Sequence, residues 1–340
     1  MPRHCIVPPY MLRSIFQNGT PGQQSRAWET LTASEQIRGG RRVLAALATL
    51  AAAAPGQKRR TVYDARGGYD LPGSLVRSEG SRKGPDPIVN EAYDGCGATY
   101  DFFWKVFKRN SIDGRGMRLD STVHFGQSYD NAFWNGHQMV YGDGDGEIFR
   151  PFTKAQDVIA HELSHGVMQY EANLDYRGQS GALNESFSDV FGILVKQHRL
   201  GQKAAEADWL IGRDLFMPGI HARGIRSMKE PGTAYDDPVL GKDPQPAHMK
   251  DYVVTSEDNG GVHVNSGIPN RAFCEAALRL KGYAWMKAGA IWYYALTEKL
   301  HPNSVFHNAM NLTVCAAGEL YGVNGKEQKA VREAWAEVGL

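Results

Sequence analysis

Apolar residues recur along this chain at two spacings, and the change from one to the other divides it. From Thr61 to about Phe152 the runs are short and partly alternating. TVYDA, SLVRSEG and MRLDSTVHFG read as strands, ATYDFFWKVFKR as a helix, and YDNAFWNGHQMVYGDGDGEIF as strands broken by glycine turns. After Asp157 the period lengthens to that of a helix: Asp157 to Glu171, Leu183 to His198 and Ala204 to Phe216 are predicted helices. The glycine-rich stretch DNGGVHVNSG reads as a loop, followed by four more helical stretches down to Leu340. No repeat of fixed period is present. The pattern predicts an α+β protein with a β-rich N-terminal lobe over residues 59–190 and a mainly helical lobe over 191–340. A cleft between such lobes is a common place for a ligand.

Residues 1–58 stand apart. A short opening, HCIVPPYMLRSIFQNG, leads through a polar linker into a helix-favouring run from about Ala27 to Ala54, which Pro55-Gly56 ends before the basic Lys58-Arg59-Arg60. Such a boundary suits a cleavable leader. The apolar run Val43 to Ala54 is too short to span a bilayer and lies too far along the chain for a secretory signal. The expectation is a cytoplasmic precursor without a recognisable N-terminal signal peptide, any export going by a non-standard route.

Composition narrows the classes further. With 340 residues, 42% hydrophobic and 22% charged, the chain is long enough for two packed cores. Its net charge of +1 offers no whole-chain field for nucleic acid or anionic membrane. Cys5, Cys96, Cys274 and Cys315 have neither CxxC spacing nor disulfide-scaffold density.

The chemistry lies in His161-Glu162-Leu163-Ser164-His165. On a helix its histidines, at i and i+4, share a face able to hold one zinc ion, with Glu162 beside them in reach of a water. A catalytic zinc takes a third protein ligand. GALNESFSDVFG supplies Glu185 and Asp189, four apart on a mostly apolar helix, so that Glu185 can reach the metal and Asp189 the outer nitrogen of a ligating histidine.

From about Thr61 to Leu340 the sequence resembles the thermolysin-like family of zinc metalloendopeptidases. NAFWNG, VYGDGDG, HELSH, GALNESFSD, a DW-IG-D segment, IRSM and DNGGVHVNSGI occur in family order. The resemblance implies a two-lobed fold with a zinc cleft between the lobes. It implies zinc ligands His161, His165 and Glu185, with Asp189 behind them. Glu162 is then the proton carrier, and Tyr176 and His263, the latter oriented by Asp258, the donors to the oxyanion of the tetrahedral intermediate. Asn131, Ala132 and Arg226 match positions that hold the substrate backbone. Phe149, Phe152, Val158, Ile211 and Ile225 match an apolar pocket that favours cleavage before large hydrophobic residues.

The leader resembles the compact propeptides of the protealysin-type branch, which implies contact of Pro8, Pro9 and Tyr10 with the cleft. On this reading Pro8-Pro9 fixes an extended backbone, Tyr10, Met11 or Leu12 fills the pocket, and His4 or Cys5 stands near the metal. Cutting between about Ala52 and Thr61 would release the mature enzyme. The chain departs from the family at the calcium sites: Asp157 and Asp208 remain, but aligned acidic positions read Lys196, Leu210 and Arg213, and Arg223 replaces an aspartate elsewhere. Cations cannot ligate calcium, so no calcium is expected there. Two alternatives remain, a catalytically silent zinc-stabilised binding protein and a zinc hydrolase of non-peptide amides. The expected partners are peptide substrates and the protein's own propeptide, with no nucleic acid and no membrane span.

Overall fold

The structure, a computed structural model, describes residues 5–44 and 54–340. The alternating segments of the first half form β1 (Arg60–Asp64), β2 (Ser74–Ser78), β3 (Leu119–Val123), β4 (Ala132–Trp134) and β5 (Gln138–Tyr141), joined in one sheet of order β2-β1-β3-β5-β4. The inner pairings, β1 with β3 and β3 with β5, are parallel, and the outer ones are antiparallel. A parallel pair needs a crossover. Between β1 and β3 it includes α3 (Pro87–Phe107), which starts where the Asp86 carboxylate accepts the N–H groups of Ile88 and Val89 and Pro87 occupies the first turn.

The helical half is built on α4 (Gln156–Tyr170) and α5 (Gly178–Leu200), packed together as a hairpin. Gly192 allows the approach: a Cβ there would lie 2.7 Å from the Asp157 carbonyl oxygen and 3.3 Å from the His161 Cβ. Any side chain would push α5 off the face that carries His161. α4 also lies against β4, so every residue of that short strand is buried. The lobe boundary expected at residue 190 falls inside α5, which packs on α3, on α7 (Gly267–Leu280) and on α8 (Ala288–Glu298). α9 (Phe306–Tyr321) and α10 (Lys326–Ala336) complete the four helices expected after the glycine-rich stretch. No helix among the described residues is long and apolar enough to cross a membrane.

Three expectations are corrected. Ala204 to Phe216 is no helix: it is a turn, a two-residue strand β6 (Leu210–Ile211) and a single 3-10 turn. Trp209 and Gly212 adopt positive φ, and the Leu210 carbonyl turns to accept from the Lys196 ammonium rather than from a helical N–H. Second, DNGGVHVNSG is only partly loop. It contains α6 (Asp258–Asn265), with Asn259, Gly260 and Gly261 in left-handed conformations before the chain turns helical at Val262. Third, the leader forms α1 (Pro9–Asn18) and α2 (Pro21–Leu44), so Pro-Pro does not extend the backbone throughout. Pro8 is extended, but Pro9 is the first helical residue, where its missing N–H costs nothing. The expected leader helix begins earlier than Ala27; residues 45–53, over which it was expected to run on toward Ala54, lie outside the described residues, as do Ala52 and Ala53 at the start of the predicted cutting region.

Candidate active site

The helical period brings His161 and His165 onto one face of α4, and α5 carries Glu185 opposite them; all three side chains are fully buried. His161 Nε2 and His165 Nε2 are 3.0 Å apart, and the Glu185 carboxylate lies 3.5 Å from the first and 3.6 Å from the second. Ligand atoms on a tetrahedral zinc, ~2.0–2.1 Å from the ion, are ~3.3 Å from one another. The donor set and its spacing therefore fit a zinc ion, and among the described residues these three form a possible metal site.

The outer nitrogens are held too. His161 Nδ1 lies 2.8 Å from Asp189 Oδ1, as expected for a carboxylate that orients a ligating imidazole. His165 Nδ1 meets Asn184 Oδ1 at 2.8 Å and Ser188 Oγ at 2.9 Å. The sequence reading passed over both of these, although Asn184 and Ser188 flank Glu185 in the same motif. Asp189 also accepts a two-pronged pair of hydrogen bonds from Arg226, at 2.8 Å each, and a third bond from Asn270. Burial alone would raise the Asp189 carboxyl, but Arg226 and His161 hold it well below the usual range.

Glu162 is buried on the same helix, and its Oε2 accepts the backbone N–H of Trp134 at 2.9 Å. This contact between α4 and β4 fixes one carboxylate oxygen. Tyr176 donates to Glu185, and its hydroxyl lies 3.3 Å from His263 Nε2. Asp258 grips His263 twice, accepting its backbone N–H at 2.8 Å and lying 2.7 Å from Nδ1. Burial opposes charge on His263, but Asp258 and then Glu185 raise it to about 9. Both expected donors thus stand within reach of the Glu185 carboxylate.

The leader supplies a peptide backbone at this place. The Ile6 N–H donates to the Ala132 carbonyl at 3.2 Å, and Arg226 Nη1 donates to the Ile6 carbonyl at 3.2 Å. Asn131 takes the Val7 N–H at 2.9 Å and gives its own amide to the Val7 carbonyl at 3.2 Å. The Cys5 carbonyl lies 3.1 Å from His263 Nε2. All three residues expected at the backbone, Asn131, Ala132 and Arg226, are therefore engaged, with His263 beside them, and the segment they hold is Cys5 to Val7. Pro8 is buried and Pro9 and Tyr10 are partly buried just beyond, while Met11 and Leu12 are buried on α1. His4 lies outside the described residues, and Cys5 meets the site through its carbonyl.

Phe149, Phe152, Val158, Ile211 and Ile225 are fully buried in the core cluster that also contains Ile6. At the expected calcium cluster, Lys196 Nζ sits 3.2 Å from Asp157 and 3.1 Å from Asp208, and Arg213 pairs with Asp208 at 3.0 Å. Arg223 lies 3.4 Å from Glu230 and donates to the Thr233 hydroxyl.

Two family models match. "Thermolysin metallopeptidase, catalytic domain" covers residues 54–169 and "Thermolysin metallopeptidase, alpha-helical domain" residues 172–340. An extracellular metalloprotease of Pectobacterium carotovorum subsp. carotovorum is 52% identical over 336 residues, covering 98% of this chain and 96% of that one. Protease PrtS of a Photorhabdus strain is 48% identical, covering 98% and 91%. The precursor of protealysin, a metalloproteinase from Serratia proteamaculans, superposes with a TM-score of 0.91 at 52% identity, over 98% of this chain and 99% of that one.

Proposed function

The chain belongs to the thermolysin family of metallopeptidases, and from that premise we propose how its residues divide the work of a zinc metalloendopeptidase made with its cleft closed by its own leader. The activity itself, zinc-dependent hydrolysis of internal peptide bonds, is that of the family. His161, His165 and Glu185 would hold one zinc ion, which when bound would supply Lewis acidity toward the carbonyl and the attacking water. Glu162, its Oε2 fixed by Trp134, takes the proton of that water and returns it to the leaving amine. Tyr176 and His263 stabilise the oxyanion, and Asp258 keeps His263 oriented and charged. Arg226, Asn131 and Ala132 align the backbone, and Asp189 ties Arg226 to His161.

The observation that carries this reading is the leader. Its main chain is hydrogen-bonded at residues 5 to 7 by the same groups, with the Cys5–Ile6 peptide bond lying between His263 and Arg226. A site that seats an extended peptide backbone favours peptides over other amides, and a structural zinc site would need neither Glu162 nor His263. The buried Ile6 side chain supports a preference for large hydrophobic residues just after the bond, in a pocket that includes Phe149, Phe152, Val158, Ile211 and Ile225. The same segment blocks the cleft until the chain is cut between about Ala52 and Thr61. The Lys196 and Arg213 pairings support a protein that takes no calcium at its cation-filled cluster. Because a close relative is named as extracellular, we extend the proposal to action outside the cytoplasm, to be checked by fractionating the producing cells.

The test of the peptidase reading uses the full chain, wild type beside Glu162→Gln. The variant should keep one zinc per chain and lose roughly 10²- to 10⁴-fold in peptide cleavage after leader removal. Turnover that survives the substitution would overturn the role of Glu162.

A further inference from the structure

A guanidinium of the leader occupies an acidic socket beside the cleft. Arg26 on α2 reaches across to the loop after β5, where its Nη2 lies 2.8 Å from Glu147 Oε1 and 3.5 Å from Asp145 Oδ2. Asp145 is committed at its other oxygen, which accepts the N–H groups of Glu147, Ile148 and Phe149 and so fixes the loop. Its Oδ2 is left to face the cation. The third carboxylate is Asp130, 1% exposed, whose Oδ1 has no hydrogen-bond partner among the described residues. Burial and the neighbouring Asp145 raise its carboxyl well above the usual range, and Arg26 works in the other direction. A buried carboxylate oxygen without a hydrogen-bond donor is costly, and a neighbouring cation such as Arg26 offsets part of that cost.

The socket adjoins the substrate groove. Asp130 directly precedes Asn131, which holds the second leader residue after the Cys5–Ile6 bond, and the Asp130 N–H donates to Thr30 on the same face of the leader as Arg26. Removing the leader withdraws Arg26 and Thr30 together and leaves three carboxylates beside the path of residues that follow the scissile bond.

We propose that Asp130, Asp145 and Glu147 form a subsite of the matured enzyme for an arginine or lysine side chain of the substrate, two or three residues beyond the scissile bond, and that Arg26 is its occupant in the precursor. The proposal rests on the peptidase reading with a removable leader. It adds to a hydrophobic preference at the first position a cationic preference farther on. Like charge gathered in one socket is relieved by a guanidinium, whose fork can meet two carboxylates at once.

The probe is a set of peptides with leucine after the scissile bond and arginine, or its neutral isostere citrulline, at each of the next three positions. With enzyme matured from the full chain, kcat/KM for arginine should exceed that for citrulline by tenfold or more at the second or third position. The ratio should fall toward one in Asp130→Asn and in Glu147→Gln. Because each ratio is taken within one protein, a general loss of activity does not disturb it. A ratio near one in the wild type, or one that both variants leave intact, would overturn the subsite. Calorimetry of the same peptides with Glu162→Gln protein, freed of its leader by an added protease, separates the two readings. Equal affinities would overturn the subsite whatever the turnover, whereas tighter binding of arginine in an enzyme that cleaves neither peptide would retain the subsite and remove the peptidase reading.

Discussion

Replacing Lys196 by methionine removes a cation from between two carboxylates while keeping much of its volume. Lys196 Nζ contacts Asp157, Asp208 and the Leu210 carbonyl at 3.2, 3.1 and 2.9 Å, and its side chain is 11% exposed. Burial opposes its charge, but Asp157 and Asp208 outweigh that and raise the ammonium above its ordinary value. Breaking a buried pair costs ~3–5 kcal/mol, because one charge is left behind without its partner. Here the low end applies. Asp157 keeps the Val158 and Gly212 N–H groups, and Asp208 keeps Arg213 and the Leu210 N–H. A loss of ~3 kcal/mol corresponds to roughly 4 °C in Tm, because an unfolding entropy of ~2.1 cal/mol/K per residue acts over a chain of 340 residues. Lys196→Glu should cost more, since it sets three carboxylates together, but it also creates an oxygen cluster of the kind calcium binds. Tm measured at neutral pH with calcium, and with a chelator that spares zinc, should show wild type unmoved by either, Lys196→Met lowered equally in both, and Lys196→Glu lowered in chelator and recovered with calcium. A wild-type Tm that falls on chelation and returns with calcium would refute the reasoning, as would a Lys196→Met protein of undiminished stability.

Two further outcomes test the leader and the sheet. Ile6→Asp in the full chain places a charge in a fully buried position, which should loosen residues 5 to 7 from the cleft and give the uncut precursor at least tenfold more peptidase activity; a silent precursor would mean that closure depends on α1 and α2 instead. His124 lies 2.7 Å from Asp143 and 2.8 Å from Asp86, and its pKa rises to about 9, first through the Asp143 bond and, against the opposing effect of burial, through Asp86 as well. A raised folded-state pKa means that the stabilisation is complete below the ordinary value of 6.5 and is lost as pH rises through about 9. The Tm difference between wild type and His124→Asn, a residue suited to the positive φ there, should therefore shrink from pH 6 to pH 10, and a difference independent of pH would count against a charged His124.

What was legible in the sequence had a short physical range. His161, Glu162 and His165 belong to one helical turn, and Glu185 and Asp189 to another, so a period of 3.6 was enough to place each set on a face, and the apolar residues around them showed that the faces meet. Lys196 against Asp157 and Asp208 came from the family resemblance instead: it put cations at acidic calcium positions, where an ammonium can neutralise the carboxylates that remain. The predicted helix at Ala204 to Phe216 failed because the same lysine draws the Leu210 carbonyl out of helical geometry, an effect of tertiary contact on backbone that propensity does not contain. The leader was misread by a few residues for a similar reason. Pro8-Pro9 suggested an extended plug, but a proline at the first helical turn is equally well placed, and only the contact of Ile6 with Arg226, 220 positions away, decides where the extended part ends.

That contact also explains why the substrate groove and the metal site are one structure. Arg226 gives Nη1 to the backbone in the groove and its other two nitrogens to Asp189, which in turn lies against His161. All three side chains are fully buried, so none can turn to water when a neighbour moves. A backbone carbonyl seated at Arg226 is therefore coupled through one carboxylate to the imidazole that faces the metal, and Asn270 prevents Asp189 from swinging to either side. The leader engages this chain of bonds, and on the proposed reading a substrate would engage it in turn. The precursor can thus keep its site assembled while closed, and removal of residues 5 to 7 exposes a groove that the Asp189 network already holds in place.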